Sequence, residues 1–114
     1  MFFTSGQRKP ISNDVYEFMF KLYPNLALVD IEVIPTDLTA DNVFGWTFIN
    51  NDQNEIEIHD DLSEKDFIIT LIHELVHVDQ NVRGLFDDEQ RENEAYELEN
   101  KLYEQFISEV PANV

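Results

Sequence analysis

His73-Glu74-Leu75-Val76-His77 places two histidines four residues apart with a glutamate beside the first. Of all the residues in this chain, these have the types and spacing that point most directly to chemistry. On a helix, four residues advance about one turn and leave the two imidazoles about 40° apart, so both rings reach one ion. Neutral imidazole nitrogen suits zinc. Glu74 sits about 60° round from His77, too far to be a natural third ligand but well placed to take a proton from a water on that ion.

These residues need a helix with a core-facing back. Turning the segment at about 100° per residue puts Ile68, Leu71, Ile72, Leu75 and Val82 on one side and Asp66, Thr70, His73, His77 and Gln80 on the other. A single histidine is most often an ordinary core or surface residue. Two of them flanking a glutamate on the polar side of an amphipathic helix form a constellation that the ordinary reading does not explain. Ser63 is placed to cap this helix, with Glu64 and Asp66 in its first turn, and Gly84 to end it.

The rest of the chain supplies elements to pack against it. Asn13 to Tyr23 repeats Val15, Phe18, Met19 and Leu22 at helical spacing, with Ser12, Asn13 or Asp14 as cap and Pro24 as stop. Ala27 to Ile34, Val43 to Ile49 and Glu55 to His59 have strand character, and Asn50 to Asn54 reads as the turn of a hairpin. Asp87 to Glu109 places Ala95, Leu98, Leu102 and Phe106 on one stripe and ends before Pro111, and a loose tail is expected for residues 111–114. The expected architecture is α+β: an N-terminal helix, a three-stranded mainly antiparallel sheet, the histidine helix and a C-terminal helix, in one domain spanning residues 1–114.

Composition narrows the function. The 24 acidic and 7 basic residues give a formal charge of −17, the opposite of a nucleic-acid binder's footprint, and argue equally against anionic membrane surfaces. Nine Phe, four Tyr and one Trp are more apolar bulk than a disordered acidic tail carries. With no cysteine, thiolate metal sites, disulfides and cysteine nucleophiles are excluded. The start, with Phe2-Phe3 ahead of Arg8-Lys9, reverses the order of a secretory signal, and no run is long enough for a membrane span. A cytoplasmic location is therefore expected.

Thr70 to Gln80, centred on the HExxH of residues 73–77, resembles the active-site helix of the zincin metallopeptidases, a likeness that runs from about Glu55 to Tyr103, about half the chain. Gln80 and Arg83 stand where a metzincin would carry its glycine and third ligand, and the absence of cysteine sets the peptide deformylases aside. The remaining resemblance is to the gluzincins, in particular small ones of the ImmA and IrrE kind, whose E-x-x-A segment on the next helix is matched by Glu92-Asn93-Glu94-Ala95. It implies Glu92 as third ligand. Helical geometry points the same way: Glu92 lies about 60° from Ala95 on the inward stripe and Glu94 about 100° away on the other side, with Glu99 a further rival near the inward face.

The expectation that follows is a zinc metallopeptidase in which His73, His77 and Glu92 hold Zn²⁺ and Glu74 is general base to a water activated by the metal. Its substrate would be a peptide or protein, favoured if basic because the chain is so acidic. Tyr96, one turn beyond Glu92, is a candidate to stabilise the transition state, with Tyr103 as a second hydroxyl. Asp66 and Asp79 are the acids nearest in sequence for orienting the imidazoles. His59 reads as a strand-end surface residue. The Phe44 to Phe48 strand reads either as the cleft's edge strand or as core filling. The alternative function is a zincin-fold binding or regulatory protein with little or no proteolysis.

Overall fold

A computed structural model describes residues 1–50 and 53–109. Helix α1 (Lys9–Leu22), helix α2 (Glu64–Arg83) and helix α3 (Asp88–Glu109) pack with strands β1 (Phe2–Thr4), β2 (Asp30–Thr36), β3 (Gly45–Asn50) and β4 (Gln53–His59) in an α+β arrangement. The strands form one mixed sheet in the order β1-β2-β4-β3. Strand β1 pairs parallel to β2, β2 pairs parallel to β4, and β3 closes an antiparallel hairpin with β4.

The sheet therefore has four strands, not three, and two of its three pairings are parallel, a correction to the mainly antiparallel sheet expected above. Strand β1 is three residues long, too short for alternation to register in a sequence. Its link to β2 runs through α1, and a helical crossover joins parallel strands. Helix α1 also starts earlier than the apolar spacing suggested. Pro10 occupies its first turn, where the missing N–H costs nothing, so Ser12, Asn13 and Asp14 lie inside the helix and the cap position falls to Arg8. Ala27 and Leu28 belong to a 3₁₀ turn, Pro24–Leu28, ahead of β2. The expected hairpin turn at residues 51 and 52 and the tail at 111–114 lie outside the described residues.

Alternation along the strands sends Ile31 and Val33 of β2 and Ile56 and Ile58 of β4 to the helix side, where they meet Leu71, Ile72 and Leu75 of α2. Helix α1 adds Val15, Phe18 and Met19, and α3 adds Ala95, Leu102 and Phe106, with Phe18 and Phe106 edge to face at 5.5 Å. Helix α2 sits at the centre, its bounds as the caps imply. The Ser63 hydroxyl accepts from Asp66 N–H at 3.1 Å, and Gly84 adopts the left-handed conformation (φ 75°) that ends the helix. Among the described residues no helix is long and apolar enough to cross a membrane.

Strand β3 is an edge strand that lies against α2. Gly45 permits the approach, since a Cβ there would come within 2.8 Å of the Thr70 methyl and 2.9 Å of the Glu57 carbonyl oxygen. The aromatics of this segment do not fill the core: Phe44, Trp46 and Phe48 are all exposed.

Candidate metal centre

The polar side of α2 is buried as thoroughly as its apolar side. His73 is 9% exposed, Glu74 4%, His77 6% and Gln80 0%, because β3 covers one flank of the helix and α3 the other. Buried polar groups must find partners, and here they find each other.

The two imidazoles meet edge to face, with His73 Nε2 and His77 Nε2 3.1 Å apart. The Glu92 carboxylate, from the first turns of α3, completes a triangle, with Oε1 3.0 Å from His77 Nε2 and Oε2 3.5 Å from His73 Nε2. A tetrahedral zinc with ligand bonds of about 2.0–2.1 Å keeps neighbouring ligand atoms about 3.3 Å apart, so these separations match the edges of such a site. His73, His77 and Glu92 thus fit a divalent metal with nitrogen and oxygen ligands, and the fit rests on spacing that two antiparallel-packed helices must maintain.

The rivals for the third position are placed elsewhere. Glu94 turns away from the rings, accepting from Gln80 Nε2 at 2.9 Å and pairing with the Arg83 guanidinium. Both contacts hold its carboxyl below the usual glutamate range, although partial burial works in the opposite direction. Glu99 reaches His73 from the other side, with Oε2 2.9 Å from Nδ1. A carboxylate only accepts, so neutral His73 carries its proton on Nδ1 and leaves the Nε2 lone pair towards the centre. His77 Nδ1 lies 2.8 Å from Gln80 Oε1. The orienting partners are therefore Glu99 and Gln80. Asp79 is instead buried in an ion pair with Arg83 at 2.8 Å, and Asp66 lines the cleft.

Glu74 points to the same space from the side of β3, where the Thr47 hydroxyl donates to its Oε1 at 2.6 Å. Burial pushes the Glu74 carboxyl up from its ordinary value, against the opposing pull of the Thr47 hydrogen bond and of the two histidines. A buried carboxyl whose hold on a proton is strengthened in this way is suited to general acid–base work.

The centre opens into a cleft of about 680 Å³ between β3 and the α2–α3 pair. Val43, Phe44, Gly45, Trp46 and Thr47 form one wall, and Asp88, Glu92, Tyr96 and Glu99 the other. Tyr96 is exposed, its ring 4.9 Å from that of His73. Asp37, His59 and Asp60 form a second group of metal-ligand types at the end of β4. Its histidine is half-buried, and Nδ1 already accepts the Leu38 N–H at 3.0 Å. In its neutral form His59 then carries its proton on Nε2, so neither nitrogen offers a free lone pair.

Three of these contacts escaped the sequence reading to different degrees. Gln80 lies three residues after His77, a spacing at which helical side chains meet, and Glu99 lies seven after Glu92, two turns along the same stripe. Both were legible in principle. Thr47 is 27 residues from its partner and was not.

Compared with family models, with curated proteins and with solved structures, the chain finds no match.

Proposed function

We propose that this chain is a small zinc-dependent peptidase of gluzincin-like design. The observation that carries the reading is the convergence of His73 Nε2, His77 Nε2 and the Glu92 carboxylate at the edge lengths of a tetrahedral site, with the buried Glu74 carboxyl beside them. His73, His77 and Glu92 hold the metal. Bound zinc supplies a Lewis acid that acidifies water and polarises a carbonyl.

The chain's own groups do the remaining work. Glu74 takes a proton from the attacking water and passes it to the leaving amine, and Thr47 fixes which way its carboxyl faces. The free edge of β3 offers backbone hydrogen bonds to an extended peptide running past the centre. Tyr96, at the lip of the cleft, is the candidate to donate to the developing oxyanion. The substrate class is basic. Asp66, Asp88 and Glu99 line the cleft, and its lining cation, Arg91, is turned onto Asn81 Oδ1 and the Leu85 carbonyl.

Two measurements test this together. Elemental analysis of the purified chain is expected to give about one zinc per molecule, lost on dialysis from Glu92→Ala and lost more completely there than from Glu94→Ala. Quenched-fluorescence peptides containing Lys or Arg are expected to be cleaved by the wild type and not by Glu74→Gln. Zinc content unchanged by His77→Ala would remove the site. Zinc binding without cleavage of any peptide in a diverse library would leave the binding-protein alternative in its place.

A further inference from the structure

We propose that Gln80 is a positioning residue that fixes the tautomer of His77, and that its own orientation is locked from α3 by Glu94 and the Arg91 carbonyl. This inference rests on the metal-binding part of the function proposed above.

The argument is one of donors and acceptors. Gln80 is fully buried, three residues after His77 on the polar side of α2. An amide has one accepting and one donating end, and the two look alike in outline, so the neighbours decide which way it faces. On one side stand the Arg91 carbonyl oxygen at 3.0 Å and the Glu94 carboxylate oxygen at 2.9 Å. Neither can donate, so the NH₂ end must face them, and both of its protons are used. The oxygen end is thereby turned to His77 Nδ1 at 2.8 Å. An oxygen there accepts, so Nδ1 carries the proton of neutral His77 and Nε2 is left with its lone pair towards Glu92 and His73.

A flipped amide would do the reverse. It would press its oxygen against two other acceptors, donate to Nδ1, and force the imidazole proton onto Nε2, where a cation must bind. Glu94 is held in turn by the Arg83 guanidinium, which also pairs with the buried Asp79. A chain of contacts therefore runs from Asp79 through Arg83, Glu94 and Gln80 to a ring nitrogen of the metal centre. It assigns Glu94 a task at this site although Glu94 touches no metal-binding atom. The two histidines are also made unequal, one oriented by a carboxylate and the other by a neutral amide.

The test uses the full-length chain. In the metal-free wild type, nitrogen-15 NMR of the imidazoles is expected to find a proton on His77 Nδ1, whether or not Nε2, 3.0 Å from Glu92, holds one as well; an unprotonated Nδ1 would overturn the proposal without any variant being made. In Gln80→Leu the Nδ1–H signature is expected to fade, and zinc affinity, read by competition with a chelator, to fall about 10- to 100-fold. A role limited to tying α2 to α3 predicts something else: Gln80→Leu would melt at a lower temperature with unchanged tautomer and zinc affinity, and that outcome would refute the assignment. Failure of the wild type to bind zinc at all would instead count against the proposed function, while the metal-free spectrum would still report on Gln80.

Discussion

Thr47 on the edge strand donates a 2.6 Å hydrogen bond to Glu74 Oε1 on the central helix, joining the wall of the cleft to the group that would move protons in it. The hydroxyl faces a carboxyl that is 4% exposed, where the loss of a partner is felt in full. Thr47→Val keeps the shape and removes the donor. A hydrogen bond to a charged group contributes about 1.5–3 kcal/mol, so kcat is expected to fall about 10- to 100-fold. Zinc content should not change, and a parallel loss of metal would mean that Thr47 supports the site in some other way.

Glu74→Gln separates binding from chemistry. On the proposed function the atoms that hold metal belong to His73, His77 and Glu92, so zinc should remain, while peptide hydrolysis should drop by about 10²- to 10⁴-fold, the usual contribution of a general base. Single-turnover cleavage beside metal analysis checks both halves. Hydrolysis at the wild-type rate would take the proton-transfer role away from Glu74.

Stability of the metal-free chain should carry the signature of the same carboxyl. Burial raises the Glu74 pKa in the folded chain, so the folded state holds this proton more tightly than the unfolded one. The stability from this group is complete below the unfolded value of about 4.3 and is lost as pH rises through the raised folded value. Metal-free Glu74→Gln, which has no charge to bury, should therefore melt above the metal-free wild type at about pH 8, with the gap closing towards about pH 4. Melting curves at the two pH values decide it, and a gap that widens in acid would contradict the direction of the shift.

Glu99→Leu tests the orienting contact on His73. The metal is expected to bind about 10- to 100-fold more weakly, as for other partners of metal-binding histidines. If Glu99 were itself a ligand in place of Glu92, Glu99→Leu would lose more affinity than Glu92→Ala, so chelator titrations of the two variants side by side tell the roles apart.

Gly45→Ala probes the fit of β3 against α2. A methyl group there meets the Thr70 side chain and a backbone oxygen, and overpacking of this kind costs about 1–3 kcal/mol. Chemical denaturation should report that loss, and if β3 shifts to relieve it, Thr47 is drawn off Glu74 and activity falls by more than the folded fraction does.

The sequence by itself determined α2 and what it carries. Its caps, its apolar back and the spacing of His73, Glu74 and His77 are all local, set within a few turns of one helix, and local periodicity is what a sequence records directly. The stripe of α3 likewise put Glu92 ahead of Glu94 on the side of the histidines, because both belong to the same helix as Ala95, although the Glu92 carboxylate stays half exposed at the cleft. Tertiary structure alone decided the rest. The parallel pairing of β1, β2 and β4 depends on a crossover through α1, not on any strand's own pattern. That Glu99 and Gln80 orient the rings, that Glu94 serves Gln80, and that Thr47 meets Glu74 follow from how α3 and β3 are laid against the two sides of α2. An acidic helix offers many carboxylates of equal chemistry, and only packing selects which of them lie within 3 Å of a ring nitrogen.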